Sequence, residues 1–92
     1  MNPVRERLSI RITGKVQGVF FRDFARRAAG KLGIVGEAKN EPDGSLRIEA
    51  EGERMRLDEF LAECRRGPRG ANVEKVRASF APATGEFETF SI

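Results

Sequence analysis

The chain has 92 residues, 39% of them apolar, with 17 Lys and Arg against 14 Asp and Glu and a net charge of +3. This is the size of one domain with a single modest core, and its interleaved charges describe an ordinary solvated surface that suits small anions better than nucleic acid. A lone cysteine, Cys64, excludes an intramolecular disulfide, the lack of histidine excludes imidazole chemistry, and no apolar run matches a signal peptide or membrane span, so a reduced, cytoplasmic, membrane-free protein is expected.

Leu8, Ile10 and Ile12 alternate with Arg7, Ser9, Arg11 and Thr13, the two-residue period of a half-buried strand that Gly14 is expected to end. A loop follows from Lys15 to Phe20. The period then changes. Phe21, Phe24, Ala25, Ala28, Ala29 and Leu32 form the apolar stripe of an amphipathic helix, and Gly33 sits where a glycine closes one. Gly30, inside that helix, costs about 1 kcal/mol relative to Ala. Close packing on a sheet would be a reason to keep it.

Ile34 to Asn40 reads as a second strand. Glu41-Pro42-Asp43-Gly44 is a turn, and Leu46, Ile48 and Ala50 alternate with Arg47, Glu49 and Glu51 in a third strand, completing a hairpin. That alternation puts the carboxylates on solvent. Leu57, Phe60, Leu61 and Cys64 mark a second helix with no strong N-cap near Gly52, stopped by Gly67-Pro68. Val76, Ala78 and Phe80 make a fourth strand. Phe87, Phe90 and Ile92 suggest a short terminal strand with a bulge. The order βαββαβ predicts an α+β, ferredoxin-like sandwich over residues 1–92, an antiparallel sheet with two helices on one face. A fold of this kind hosts many activities.

Chemistry must come from the remaining polar residues. Cys64 lies on an apolar stripe and reads as core. The carboxylates do not cluster as metal ligands. Gly14-Lys15-Val16-Gln17-Gly18-Val19-Phe20-Phe21-Arg22 leads from a strand into a helix start. Such a segment is either a glycine-relaxed connection or an anion nest at a helix N-terminus. Arg22, a cation in the first helical turn, is mildly unfavourable against the dipole. It is either a surface residue or a phosphate ligand. Asn40 is either part of the turn or a site residue.

The same nine residues resemble the signature of the acylphosphatase family, Gly-x-Val-Gln-Gly-Val-x-Phe-Arg. Leu32-Gly33-Ile34-Val35-Gly36, Asn40, Asp43-Gly44 and Glu51-Gly52 resemble the family's second signature in order and spacing. Glu37 and Ala38 depart from it, standing where an aromatic residue and a Val are common, and in the first signature Phe20 stands where a small residue is frequent. The resemblance implies a ferredoxin-like fold and hydrolysis of carboxyl-phosphate anhydrides. It assigns phosphate binding to Arg22 and the amides of Lys15, Val16, Gln17, Gly18, Val19 and Phe20, and water orientation to Asn40. It implies no metal and no cofactor, a monomer acting on small acyl phosphates, and inorganic phosphate as product and inhibitor. Two rivals remain: a non-catalytic phosphate-binding module, and an RNA-binding sheet, which would need aromatics on its open face.

Overall fold

The computed structural model describes residues 4–92; residues 1–3 of the expected domain lie outside the described part. Seven elements follow in chain order: β1 (Arg5–Lys15), α1 (Phe21–Leu32), β2 (Val35–Asn40), β3 (Leu46–Glu53), α2 (Arg54–Arg66), β4 (Asn72–Pro82) and β5 (Phe90–Ser91). The strands lie side by side in the order β4-β1-β3-β2-β5. The first four pair antiparallel, which is the expected ferredoxin-like sheet. The terminal strand departs from that expectation. It is two residues long and runs parallel to β2, so the sheet is mixed.

The strand alternation sends Leu8, Ile10 and Ile12 of β1, Ala38 of β2 and Leu46, Ile48 and Ala50 of β3 to one face, all nearly inaccessible. Phe21, Ala25, Ala28 and Ala29 of α1 and Leu57, Phe60 and Cys64 of α2 close over them. Small residues dominate the α1 stripe, and Phe21 and Phe60 are the largest fully buried side chains. Cys64 is core, and burial pushes its thiol up to about 12. Gly33 closes α1 with φ 66°, its N–H donating to Ala29 O. Gly30 does not pack on the sheet: it is exposed, and an added methyl would meet nothing within 4 Å.

β1 runs past Gly14, against expectation. Its register on β4 slips between Thr13 and Gly14, a bulge just before the loop that leads to α1. Gly14 has φ 121°, and a Cβ there would lie 2.2 Å from Asn72 O, so only glycine permits the approach.

Glu49 and Glu51 are the second correction. They point to the helix-free face, as the alternation requires, yet are only 5% and 1% exposed. The chain between β4 and β5 crosses that face and covers Glu51, while Arg7, Ser9 and Arg47 enclose Glu49. Thr84 N and Oγ1 and Gly85 N donate to the Glu51 carboxylate at 3.0, 2.9 and 3.0 Å. Arg7 reaches Glu49 at 2.9 Å and Glu51 at 3.3 Å and also pairs with Glu86, while Ser9 Oγ donates to Glu49 at 2.6 Å. This network fastens the crossover, which delivers β5 to the far edge of the sheet.

Burial opposes ionisation of both carboxylates, but the donors outweigh it. Ser9, Arg7 and Arg47 hold Glu49 below the ordinary Glu value, and Thr84 and Gly85 do so for Glu51. A folded-state value below the unfolded one of about 4.3 gives stabilisation that is complete above that pH and lost as pH falls through the folded values. The urea unfolding midpoint should therefore hold from pH 7 to about 5 and fall steeply towards 3. Glu51→Gln should cost about 1.5–3 kcal/mol at pH 7 and flatten the acid slope. An unchanged slope in that variant would disprove the role given to Glu51.

Candidate active site

The bulge at Gly14 hands β1 over to the loop that precedes α1. Gly18 has φ 74°, and Phe20 has φ 61° and ψ 28°, so it is the one non-glycine among the described residues with positive φ. For a bulky side chain that conformation costs of order 1–3 kcal/mol. Phe20 occupies the N-cap of α1 and offers no capping side chain. The first amides of the helix thus keep their hydrogen-bonding capacity and the positive end of the dipole. Among the described residues, the amides of Gln17, Gly18, Val19 and Phe20 also donate to no backbone carbonyl. A run of unmatched N–H groups at a helix start is an anion site in the making.

The cavity is about 270 Å³ and is lined by Val16, Gly18, Phe20, Phe21, Arg22, Asp23, Asn40 and Ile92. It joins the loop, the helix start, the end of β2 and the end of the chain. Arg22 is exposed and makes no ion pair among the described residues. Its neighbour Asp23 favours the helix dipole and is held by Arg26 at 2.5 Å and Arg27 at 3.0 Å. The guanidinium of Arg22 therefore keeps its donor fork for a ligand.

Asn40 takes no part in the turn that follows it. The turn is held by Glu41 N to Ser45 O at 2.8 Å, by Gly44 N to Glu41 O at 3.1 Å, and by Asp43 Oδ1, which accepts from Ser45 N at 2.9 Å and Ser45 Oγ at 2.6 Å. Those hydrogen bonds from Ser45, helped by Arg11, bring Asp43 down to about 2. With the turn satisfied by Asp43 and Ser45, the Asn40 amide is available to a ligand or water.

Gln17 has a role that the sequence reading did not assign to its side chain. Its Nε2 donates to Glu41 O at 2.8 Å and Ser45 O at 3.0 Å, tying the loop to the turn beside Asn40. The loop and Asn40 are thereby held in one frame. Lys15, Gln17 and Val19 do not line the cavity, and Lys15 is exposed at the end of β1. Phe21, Asp23 and Ile92 line it without having been singled out. Ile92 was legible only as part of a terminal strand, since nothing in its surroundings in sequence links it to the loop.

The acylphosphatase family model matches residues 8–92. A relative from Salinibacter ruber named acylphosphatase is 46% identical over 87 residues, covering 95% of this chain and 92% of its own length. The chain belongs to the acylphosphatase family. The crystal structure of acylphosphatase from Bacillus subtilis superposes with a TM-score of 0.91 at 31% identity, covering 95% of this chain and 97% of that one. Full-length HypF, solved in a phosphate- and nucleotide-bound form, contains a similar unit: TM-score 0.89 at 28% identity, over 99% of this chain and 12% of that one. Like other acylphosphatases, the chain is an enzyme of the hydrolase class. Of the positions that depart from the family pattern, Phe20 lines the cavity, and Glu37 and Ala38 fall away from it. Ala38 is buried under the helices, and Glu37 lies on the opposite face, paired with Lys39 at 3.6 Å.

Gln17→Ala should remove the second donor from two carbonyls of the turn, leaving Glu41 O with Gly44 N and Ser45 O with Glu41 N. A loss of about 1–2 kcal/mol in urea unfolding is expected, with faster amide exchange at Glu41 and Ser45. Exchange unchanged at those two positions would refute the clamp.

Proposed function

We propose that this chain hydrolyses acyl phosphates to a carboxylate and inorganic phosphate, with Arg22 and the amides of residues 15–20 holding the phosphate and Asn40 aligning the water. The observation that carries this reading is one cavity where an unpaired Arg22, an uncapped helix start and an unengaged Asn40 meet. Water attacks phosphorus in line, the bond from phosphorus to the acyl oxygen breaks, and its electron pair leaves with the carboxylate. The water proton passes to the phosphate product or to solvent.

A carboxylate with a conjugate-acid pKa of about 4 leaves without protonation. The reaction therefore needs no general acid, consistent with a chain that has no histidine. The remaining work is positioning and stabilisation of charge on the phosphoryl oxygens. The guanidinium fork and the amides match that charge, and a neutral carboxamide can both accept from and donate to water. Among the described residues, no three His, Cys, Asp or Glu are grouped to hold a metal. We accordingly read the reaction as metal-independent, in a cytoplasmic monomer inhibited by its own phosphate product.

An RNA-binding reading finds little support on the helix-free face. Arg7, Arg11, Arg47 and Arg77 populate it, but its aromatic ring, Phe87, sits 5.1 Å from the Arg7 guanidinium. A non-catalytic phosphate-binding module would use the same cradle without turnover, so kinetics separates it from the enzyme.

Two sets of measurements test the proposal. In the first, wild-type protein should hydrolyse a small aryl acyl phosphate in the presence of chelator. Phosphate at 100 times its Kd should stabilise the fold by about 2.7 kcal/mol and inhibit competitively. Activity that chelator abolishes and added metal restores would overturn the mechanism. In the second, folded Arg22→Ala should lose phosphate binding and turnover together, with little rescue by Lys because an ammonium lacks the planar fork. Asn40→Ala should lower kcat by about two to three powers of ten and change phosphate affinity far less. Calorimetry beside turnover decides it: equal loss of phosphate binding in both variants would move Asn40 into the phosphate site.

A further inference from the structure

Phe20 is costly to this protein in two ways, and neither cost is recovered inside the fold. Its backbone is left-handed at φ 61°, and its ring is 85% exposed. The other six phenylalanines are all engaged. Phe21 and Phe60 are buried, Phe24, Phe80 and Phe90 pack against the core, and Phe87 lies beneath Arg7. Phe21 meets Phe24 edge-on, Phe60 meets Phe90, and Arg54 covers Phe80 at 3.6 Å. Asn or Gly at position 20 would relieve the backbone, and any polar side chain would spare the exposed ring.

Phe20 is also placed with company. Four large apolar side chains are exposed among the described residues: Val4, Phe20, Met55 and Ile92. Two of them, Phe20 and Ile92, line the one cavity that holds Arg22 and Asn40. They come from opposite ends of the chain, joined there by the crossover to β5. The cavity thus has a polar floor for an anion and an apolar rim.

We propose that Phe20 and Ile92 form the acyl-group subsite, which selects substrates whose acyl portion is apolar and flat, aromatic acyl phosphates above acetyl phosphate. The inference rests on the acyl phosphate reading above. In an acyl phosphate a single oxygen separates phosphorus from the carbonyl carbon. With the phosphate on the loop amides and Arg22, the acyl group emerges beside whatever rims the cavity. The exposed ring at the cavity offers a flat apolar face to that group. The backbone amide of Phe20 and its side chain then serve the two halves of one substrate.

The test compares kcat/KM for acetyl phosphate and benzoyl phosphate in wild type, Phe20→Asn, Phe20→Leu and Ile92→Ser, each checked for folding by thermal unfolding. Wild type should favour benzoyl phosphate. Phe20→Asn should cut the benzoyl-to-acetyl ratio by about three- to tenfold, the scale of one aromatic contact, chiefly through KM. Phe20→Leu should keep part of the preference, and Ile92→Ser should lower it in the same direction. If Phe20→Asn fails to fold, the last two variants decide the matter. Turnover of both substrates with a ratio that no variant changes would overturn the subsite while leaving the hydrolase reading intact. A concentration-dependent dimer that Phe20→Asn dissolves, with the ratio unchanged, would overturn it in favour of self-association. No hydrolysis of either substrate by wild type, matching Arg22→Ala, would defeat the hydrolase reading and the subsite with it.

Discussion

Backbone amides need acceptors, and at the junction of β1 and α1 the protein supplies few. Past the bulge at Gly14, β1 stays paired with β4 only as far as Lys15, Gly18 and Phe20 turn the loop through positive φ, and α1 begins without a capping side chain. Each feature withholds a partner from successive N–H groups. A free-standing helix would normally satisfy some of them with a Ser, Thr, Asp or Asn at the N-cap. Here the deficit is left open beside a cavity, where an anion can meet it, and the site is in this sense an unfinished part of the secondary structure.

Holding such a junction open requires support from outside it. Gln17 ties the loop to the turn after β2, and Asp43 and Ser45 close that turn, so Asn40 is left over as a side chain that the fold does not use. On the opposite face, Glu51 gathers Arg7, Thr84 and Gly85 and pins the crossover to β5. That anchoring places Ile92 at the cavity from the other end of the chain. Buried carboxylates are costly unless fully paired. These two have their donors, and among the described residues no buried side-chain polar atom lacks a partner.

On the proposed reading the chemistry asks little of the side chains. A leaving carboxylate needs no acid, and water needs only to be aimed. What the reaction does demand is a fixed array of donors around a phosphate, and a rigid sheet-and-helix frame supplies that better than mobile side chains. This fits a small domain, because one guanidinium, a few amides and a carboxamide occupy little of its surface and ask nothing of its core.

The sequence by itself determined the periodic parts of this protein. Period two in residues 7–13 and 46–51 and the helical stripes of residues 21–32 and 57–64 specify strands, helices and most of the core, because burial of one face is a local pattern. The signature from Gly14 to Arg22 was legible too, since glycine positions and an Arg against the dipole are local facts. What pairs with what across the fold was not local. Glu49 and Glu51 read as solvent-facing from their phase, yet the returning chain at Thr84 and Gly85 closes over Glu51, and Arg7, Ser9 and Arg47 close over Glu49. The bulge that carries β1 beyond Gly14 depends on β4, some sixty residues later by its number. The Gln17 clamp depends on carbonyls of a distant turn, and the arrival of Ile92 depends on a parallel pairing with β2. Contacts between remote segments obey no period along the chain, so tertiary structure alone decided which exposed residues share the cavity.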